Sequence, residues 1–284
     1  MAAEEVRTDP FDGVAPEPGV AKPDPILVAS GVQRRYGGLL AVDVDHLEVQ
    51  RGVITSLIGP NGAGKTTFFN LLCGFDDANG GSWTFEGDAA QGVAPHVLAR
   101  RGMVRTFQLT KTLGRMTVLD NMLLAGRDQR GESALRSLLP GTWRAQEEEL
   151  RAKAHELLTR FKLDHQAEEY AAGLSGGQRK LLEMARALMT DPSLVMLDEP
   201  MAGVNPALTQ SLLGHVTALR DEGMSVLFVE HDMDVIMTIS DWVVCMAEGR
   251  IIAEGRPADI AGNPAVIEAY LGIDHGGELG GEVR

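Results

Sequence analysis

Between an apolar run and a helical one, the chain reads Gly59-Pro60-Asn61-Gly62-Ala63-Gly64-Lys65-Thr66. The spacing G-x-x-x-x-G-K-[ST], after residues 53–58 and before residues 67–72, predicts a strand, a glycine-rich loop and a helix. Glycines let such a loop curl and aim its backbone N–H groups at a phosphate, and the helix adds its positive N-terminal end. Lys65 supplies a positive charge for the β- and γ-phosphates, and the Thr66 hydroxyl can hold Mg²⁺. The sequence therefore predicts a binding site for a nucleoside triphosphate.

The composition is that of a globular protein rather than of a nucleic-acid-binding, disulfide-rich or membrane-spanning one. The 284 residues include 44% hydrophobic residues and carry a formal net charge of −14, without a cluster of Lys and Arg. We expect the two cysteines, Cys73 and Cys245, to be buried apolar residues. The chain has no apolar run of about 18 residues, and its acidic start does not resemble a secretory signal. These features predict a cytosolic protein without nucleic acid as a partner.

Three segments are predicted along the chain. Residues 1–25 are acidic and rich in proline, which predicts a disordered tail, and the glycine-rich residues 274–284 predict a flexible C-terminal tail. The folded domain is expected over residues 26–273, with a helical subdomain inserted at about residues 109–175. After residue 175, strand and helix patterns alternate, which implies an α/β fold with a mainly parallel sheet.

Three further polar positions each follow an apolar strand directly. Gln108 follows residues 103–107, Asp198-Glu199 follows residues 194–197, and Glu230-His231 follows residues 225–229. In open parallel sheets, ligands lie in the crevice beyond the carboxyl ends of the strands. If these strands are neighbours, all of these positions converge with the phosphate loop on one nucleotide.

The residue types at these strand ends suit phosphate chemistry. Asp198 is the carboxylate expected to hold Mg²⁺, and Glu199 can polarise the attacking water as the general base. Gln108 could contact Mg²⁺ or the water, and His231 could donate a hydrogen bond to the γ-phosphate. Taken alone, each has an ordinary alternative: an acidic pair often ends a strand, a glutamine often lies on the surface, and a histidine is more often structural.

A second phosphate-seeking helix end is predicted at Leu174-Ser175-Gly176-Gly177-Gln178. Ser175 and Gln178 have the spacing of a capping box at a helix start. Gly176 and Gly177 are costly in a first helical turn, but they bare the backbone N–H groups for a phosphate. One nucleotide could bridge this end and the phosphate loop only if the two came from different copies of the chain.

Together, residues 174–178, the phosphate loop, Gln108, Asp198-Glu199 and His231 resemble an ABC-transporter ATPase subunit over about residues 26–272. The resemblance implies an α/β P-loop fold with a mainly parallel sheet core, an antiparallel β subdomain and an inserted helical subdomain. It also implies a head-to-tail dimer that sandwiches ATP between the loop of one subunit, Thr67 included, and residues 175–178 of the other. Tyr36 falls where the family places an aromatic ring that stacks on adenine, although it could equally be an ordinary strand residue.

Finer features resemble one branch of this family, the ATP-binding subunits of branched-chain amino acid importers (LivG type). These features are residues 36–42, 104–108, 202–206, 230–233 and the ending Ala269-Tyr270-Leu271-Gly272. Many ABC ATPases have an aspartate at the position of Asn205, whereas asparagine is usual in this branch. The proline-rich N-terminal segment departs from the family pattern, and residues 137–144 do not align with it.

The resemblance implies an ATPase that works with separate transmembrane permease subunits at the inner face of the cell membrane. An extracytoplasmic solute-binding protein would deliver leucine, isoleucine or valine. Import of urea or short-chain amides is the nearest alternative, and lipid export is a more distant one. A soluble ABC ATPase that acts on nucleic acid or ribosomes is disfavoured by the acidic charge and by the short separation of Gln108 and Ser175. A nucleotide-gated module without turnover is disfavoured by Glu199.

Overall fold

The structure is a computed structural model that describes residues 9–106, 112–127 and 144–271. It divides into two compact units. The first unit combines the chain up to Ala94 with the chain from Ser225 onward, and the second unit extends from Pro95 to Met224.

Strands occur in both units. In chain order, those of the described residues are β1 Pro25–Tyr36, β2 Leu39–Gln50, β3 Ile54–Ile58, β4 Gly80–Phe85, β5 Asp88–Ala89, β6 Met103–Arg105, β7 Leu194–Asp198, β8 Ser225–Val229, β9 Trp242–Ala247 and β10 Arg250–Gly255.

The α-helices of the described residues are α1 Lys65–Leu72, α2 Pro95–Arg101, α3 Val118–Leu123, α4 Arg144–Arg160, α5 Gly176–Leu188, α6 Pro206–Asp221, α7 Met233–Ile239, α8 Pro257–Ala261 and α9 Pro264–Leu271. Two short 3₁₀ turns cover Asp164–Gln166 and Ala171–Gly173. Within the described ranges, no helix has the length and apolar character needed to cross a membrane.

The first unit contains parallel strands beside an antiparallel sheet. Its central strand β3 lies between β8 and β9 and is parallel to both, and β10 closes a hairpin with β9. All five residues of β3 are buried, as expected for a parallel strand covered on both faces. A separate antiparallel sheet has the order β2-β1-β4-β5. The predicted α/β class, with parallel strands and an antiparallel β part, is confirmed.

The two cysteines are buried in the first unit, as the sequence predicts. Cys73 directly follows α1 as its C-cap, and Cys245 lies in β9. Burial raises the pKa of the Cys245 thiol to about 12, against the opposing effect of the positive charge of Lys65. The Cys245 thiol is therefore protonated at neutral pH and behaves as a small apolar side chain.

The N-terminal segment is packed where the sequence predicts disorder. Phe11 is 2% exposed, and its ring stacks on Trp242 with the ring centroids 4.5 Å apart. Lys22 Nζ lies 2.8 Å from Glu254 Oε2, and both side chains are fully buried. Glu254 Oε1 accepts hydrogen bonds from the backbone N–H groups of Gly19 and Val20. The prediction of a disordered tail over residues 1–25 is therefore corrected for residues 9–25, because an aromatic stack and a buried ion pair bind them to β9 and β10.

The second unit joins a pair of parallel strands to helices. Strands β6 and β7 are parallel, with Val104 opposite Val195. Over the predicted helical subdomain, about residues 109–175, the described residues form α3, α4 and the two 3₁₀ turns. Helices α3, α4 and α5 pack against one another through buried residues such as Met122, Leu158 and Leu182. The unit extends beyond the predicted subdomain at both ends and includes β6, β7 and α6.

Candidate nucleotide-binding site

The phosphate loop connects β3 to α1 and is bounded by backbone on several sides. A Cβ at Gly59 would lie 2.0 Å from the Met246 carbonyl oxygen, and one at Gly64 would lie 2.4 Å from the Ala41 carbonyl oxygen. Gly64 also has a φ of 96°, a left-handed conformation that favours glycine. These glycines are therefore required by close backbone approach as well as by the curl of the loop.

Lys65 begins α1 and points back into the loop. Its Nζ donates hydrogen bonds to the carbonyl oxygens of Gly59, at 2.5 Å, and Pro60, at 2.9 Å. The Ala63 carbonyl oxygen accepts a hydrogen bond from Gly249 N–H in the β9–β10 turn. The loop thus holds a buried ammonium group at the N-terminal end of a helix, an arrangement that attracts anions.

The remaining loop residues differ in exposure. Ala63 is buried, Pro60 and Thr67 are partly buried, and Asn61, Gly62 and Thr66 are exposed. The Thr66 side chain is therefore accessible to a ligand at the start of α1.

Tyr36 ends β1 and is 47% exposed. The Arg34 guanidinium lies over the ring, 4.6 Å from its centroid, and the Tyr36 hydroxyl donates to Asp76 Oδ2. Arg34 also pairs with Asp76 at 2.6 Å. The tyrosine is therefore both a strand residue and an exposed, oriented aromatic surface. No sequence pattern indicates its two supporting residues, Arg34 and Asp76.

His231 follows β8, the parallel neighbour of β3, so it lies at the same strand end as the phosphate loop. Its side chain is 63% exposed, and its Nδ1 is 3.6 Å from Oε2 of the buried Glu230. Asp232 begins α7 by accepting hydrogen bonds from the N–H groups of Asp234 and Val235. This cap fixes the turn that presents the imidazole to solvent.

In the second unit, Asp198 is the last residue of β7. Its Oδ2 accepts a hydrogen bond from Arg105 Nη2 at 2.7 Å, and the two side chains are 2% and 6% exposed. Its Oδ1 is buried and has no hydrogen-bond partner within the described part of the chain. Arg105 lies within residues 104–108, a pattern that by itself indicates no role for the arginine.

Glu199 follows Asp198 in a conformation that is unusual for a residue with a side chain. Its φ is 47°, and its carbonyl oxygen accepts a hydrogen bond from Ala202 N–H. A non-glycine residue held in this region carries backbone strain, which is common at functional sites. Gln108, the remaining predicted strand-end residue, lies outside the described residues. The predicted convergence of all the strand ends on one nucleotide stays a prediction.

Ser175 caps α5 as the sequence predicts. Its Oγ accepts a hydrogen bond from Gln178 N–H, and Gln178 Oε1 accepts one from Ser175 N–H. Gly176 is open to solvent, and a Cβ there would meet no atom within 4 Å. At Gly177, however, a Cβ would lie 1.7 Å from Leu208 Cδ2, so a larger residue there would require the Leu208 side chain of α6 to move.

The residues around Asp198 fit Mg²⁺ as a partner of a nucleotide. No group of three or more His, Cys, Asp and Glu side chains suited to a metal occurs in the described ranges. A nucleotide-dependent Mg²⁺ needs no such cage, because one or two carboxylates, water and phosphate oxygens complete its coordination. In the second unit, the buried Asp198 Oδ1 has no hydrogen-bond partner in the described ranges, and in the first unit Thr66 is exposed. Each residue, taken by itself, offers an oxygen of the kind that Mg²⁺ binds.

Family models match two parts of the chain. The family model described as "ABC transporter" matches residues 42–202, and one described as "Branched-chain amino acid ATP-binding cassette transporter" matches residues 250–276. The chain is 45% identical over 247 residues to the probable branched-chain amino acid transport ATP-binding protein LivG of Archaeoglobus fulgidus, which covers 87% of this chain and 95% of the relative. It is 43% identical over 251 residues to the high-affinity branched-chain amino acid transport ATP-binding protein BraF of Pseudomonas aeruginosa, with coverages of 87% and 98%.

Solved structures are similar over the same range. The ADP conformation of an ATP-binding cassette of an ABC transporter has a TM-score of 0.76 and 40% identity, and covers 87% of this chain and 99% of its own. A nucleotide-free cassette has a TM-score of 0.75 and 40% identity, with coverages of 87% and 98%.

Proposed function

The chain belongs to the ABC transporter ATP-binding family, whose members are ATPases, and we propose that it powers import of branched-chain amino acids. The observation that carries this proposal is the match of residues 250–276, from β10 through α9, to the branched-chain amino acid cassette model. The names of the LivG and BraF relatives support the same substrate class.

The geometry of the first unit supports triphosphate binding. Lys65 already lies against the loop carbonyls, so a modest movement of its ammonium group would bring it to the β- and γ-phosphates. Mg²⁺, held by Thr66 and Asp198 with help from Gln108, would neutralise charge on the phosphates. Backbone N–H groups among residues 61–67 supply the remaining donors.

Hydrolysis needs a base for the attacking water, and we assign that role to Glu199. The hydrogen bond from Ala202 N–H to the Glu199 carbonyl oxygen holds this strained backbone in place. The direction in which the Glu199 side chain leaves the backbone is therefore fixed. A positioned carboxylate can take the proton of the water as it attacks the γ-phosphorus. His231 would donate a hydrogen bond to the γ-phosphate, and Gln108 would orient the water.

The active form is a head-to-tail dimer. Residues 175–178 form a helix start that is exposed at Ser175 and Gly176 and partly buried at the next two residues. Its capping box leaves the N–H groups of Gly176 and Gly177 available to a phosphate. Ser175 Oγ accepts a hydrogen bond within its own helix, and its hydroxyl hydrogen can still be donated to the partner's nucleotide. On the opposite side of each nucleotide, the exposed ring of Tyr36 offers a stacking surface for adenine.

The partners include a second ATPase subunit, which is the same chain or a related one, and separate transmembrane permease subunits. An extracytoplasmic solute-binding protein takes part indirectly, and the ATPase lies on the cytoplasmic face of the membrane.

The test is the uptake of labelled leucine, isoleucine, valine and urea in source cells that carry Lys65→Ala at the native locus. Selective loss of uptake of the three branched-chain amino acids is the expected result. Loss of urea uptake alone would contradict the proposal and would assign the ATPase to import of urea or short-chain amides. Intact uptake of all four solutes would remove the proposed substrate class.

A further inference from the structure

Tyr270, near the end of α9, contacts the phosphate loop. Its phenolic oxygen accepts a hydrogen bond from the backbone N–H of Gly59 at 3.0 Å, across 211 positions of sequence. Gly59 is the first residue after β3, where the chain turns from strand to loop. The C-terminal helix therefore reaches the base of the candidate nucleotide site.

The Tyr270 ring is fixed by packing. It lies against a buried apolar cluster formed by Ile58, Ile236, Val243, Cys245, Ala253, Ile260 and Val266. Burial raises the pKa of Tyr270 to about 12, with Cys245 adding to the rise and the Gly59 hydrogen bond opposing it. The hydroxyl therefore stays protonated at neutral pH, in an orientation that the cluster determines.

Both backbone polar groups of Gly59 are hydrogen-bonded. Its N–H donates to the Tyr270 hydroxyl, and its carbonyl oxygen accepts from Lys65 Nζ at 2.5 Å. On a third side, the Met246 carbonyl leaves no room for a Cβ. A shift of Gly59 would thus move the carbonyl that sets the position of the Lys65 ammonium group.

We propose that Tyr270 is a positioning residue for the nucleotide site, whose hydroxyl fixes Gly59 and through it the phosphate loop and Lys65. The inference rests on the proposed function, because it concerns the same ATP site. In this proposal, α9 stabilises the phosphate loop through Gly59, at the point where the loop leaves β3. It does so without contacting the nucleotide itself. A donor left unpaired at Gly59 would let the loop adopt alternative conformations, which the nucleotide would have to reorder on binding.

The test makes two measurements on the purified full chain and on each variant. Calorimetry gives the Kd for MgADP, and thermal unfolding gives the Tm. Tyr270→Phe keeps the ring and removes only the hydroxyl, so the ADP Kd should rise roughly threefold to tenfold. Val266→Ala is the matched control, because Val266 lies in the same helix and cluster but touches no loop donor in the described contacts. Val266→Ala should lower the Tm while leaving the ADP Kd within about twofold of the wild-type value.

Two results would overturn the positioning role. One is an unchanged ADP Kd in Tyr270→Phe, and the other is an equal loss of affinity in Val266→Ala, which would make docking of the helix, and not the hydroxyl, responsible. Both leave the proposed function in place. Failure of the proposed function would give a different result. The wild-type chain would then bind no MgADP, or Lys65→Ala would bind MgADP with unchanged affinity. In either case the positioning role of Tyr270 would be rejected as well.

Discussion

Arg105 Nη2 donates to Asp198 Oδ2 at 2.7 Å, so a cation on β6 holds the carboxylate that ends β7. Both side chains are buried, and the second carboxylate oxygen has no hydrogen-bond partner in the described ranges. The pair therefore leaves one oxygen of Asp198 available for another ligand while it fixes the other. Arg105 is thus expected to matter for stability and for the metal site together.

Arg105→Met should leave the buried Asp198 carboxylate without its cation and lower the free energy of unfolding by about 3–5 kcal/mol. The control is Arg151→Met, because Arg151 pairs with Glu147 at an exposed position on α4. That change should cost at most about 1 kcal/mol. Urea unfolding of the two variants measures the difference, and equal midpoints would show that the buried pair contributes nothing.

Glu199→Gln should keep ATP binding but slow hydrolysis by about 10²–10⁴-fold, because the amide cannot accept the proton of the water. The variant should then accumulate as an ATP-bound dimer in size-exclusion chromatography. Glu248→Gln is the matched control, since Glu248 is exposed in the β9–β10 turn and also has a positive φ, of 49°. Undiminished turnover in Glu199→Gln would remove this residue from the role of base.

A mixture of Ser175→Arg and Lys65→Ala subunits should hydrolyse ATP faster than either variant alone. In a head-to-tail dimer, each variant damages a different half of a composite site, so a mixed dimer retains one intact site. ATPase rates at several mixing ratios measure the effect. A mixture that never exceeds the sum of its separate components would contradict the sandwich arrangement.

Tyr36→Ala should weaken MgADP binding by roughly threefold to tenfold if the ring stacks on adenine, whereas Tyr36→Phe should retain most of the affinity. Pyrophosphate lacks the base and serves as the control ligand, which should bind all three proteins alike. Calorimetry with both ligands separates stacking from a general disturbance of β1. An equal loss of pyrophosphate affinity in Tyr36→Ala would count against stacking.

Lys22→Met should leave Glu254 buried without its cation and lower the free energy of unfolding by about 3–5 kcal/mol. The double change Lys22→Met with Glu254→Gln should recover part of the loss, because no unpaired charge then remains. Urea unfolding of the two single variants and the double variant gives the coupling energy of the pair. Additive effects would show that the two side chains do not interact energetically.

The sequence predicts the parts of this protein that depend on local pattern. The loop at residues 59–66 and the capping box at Ser175 are encoded by residues close together in the chain, and both are formed as expected. The alternation of apolar strands with helices also predicts the parallel strands. Polar residues at the ends of β7 and β8 are found from the same pattern.

Contacts between distant segments could not be predicted in this way. Gly59 and Tyr270 are 211 positions apart, and Lys22 and Glu254 are 232 apart, so no periodicity connects them. The N-terminal segment has the composition of a disordered chain, and only the stacking of Phe11 on Trp242 and the ion pair of Lys22 show why it packs. The role of Gly177 likewise depends on Leu208, which belongs to another helix.

The burial of both cysteines has a practical consequence for spectroscopy. Cys73 and Cys245 are shielded from solvent, so thiol-reactive dyes and spin labels should leave the folded wild-type chain unmodified. A cysteine introduced at an exposed position would then be the only reactive thiol, without prior removal of the native ones. Glu248 in the first unit and Gln210 in the second are both exposed. A label at either position would report, within its own unit, whether the surroundings of that residue change when ATP is added.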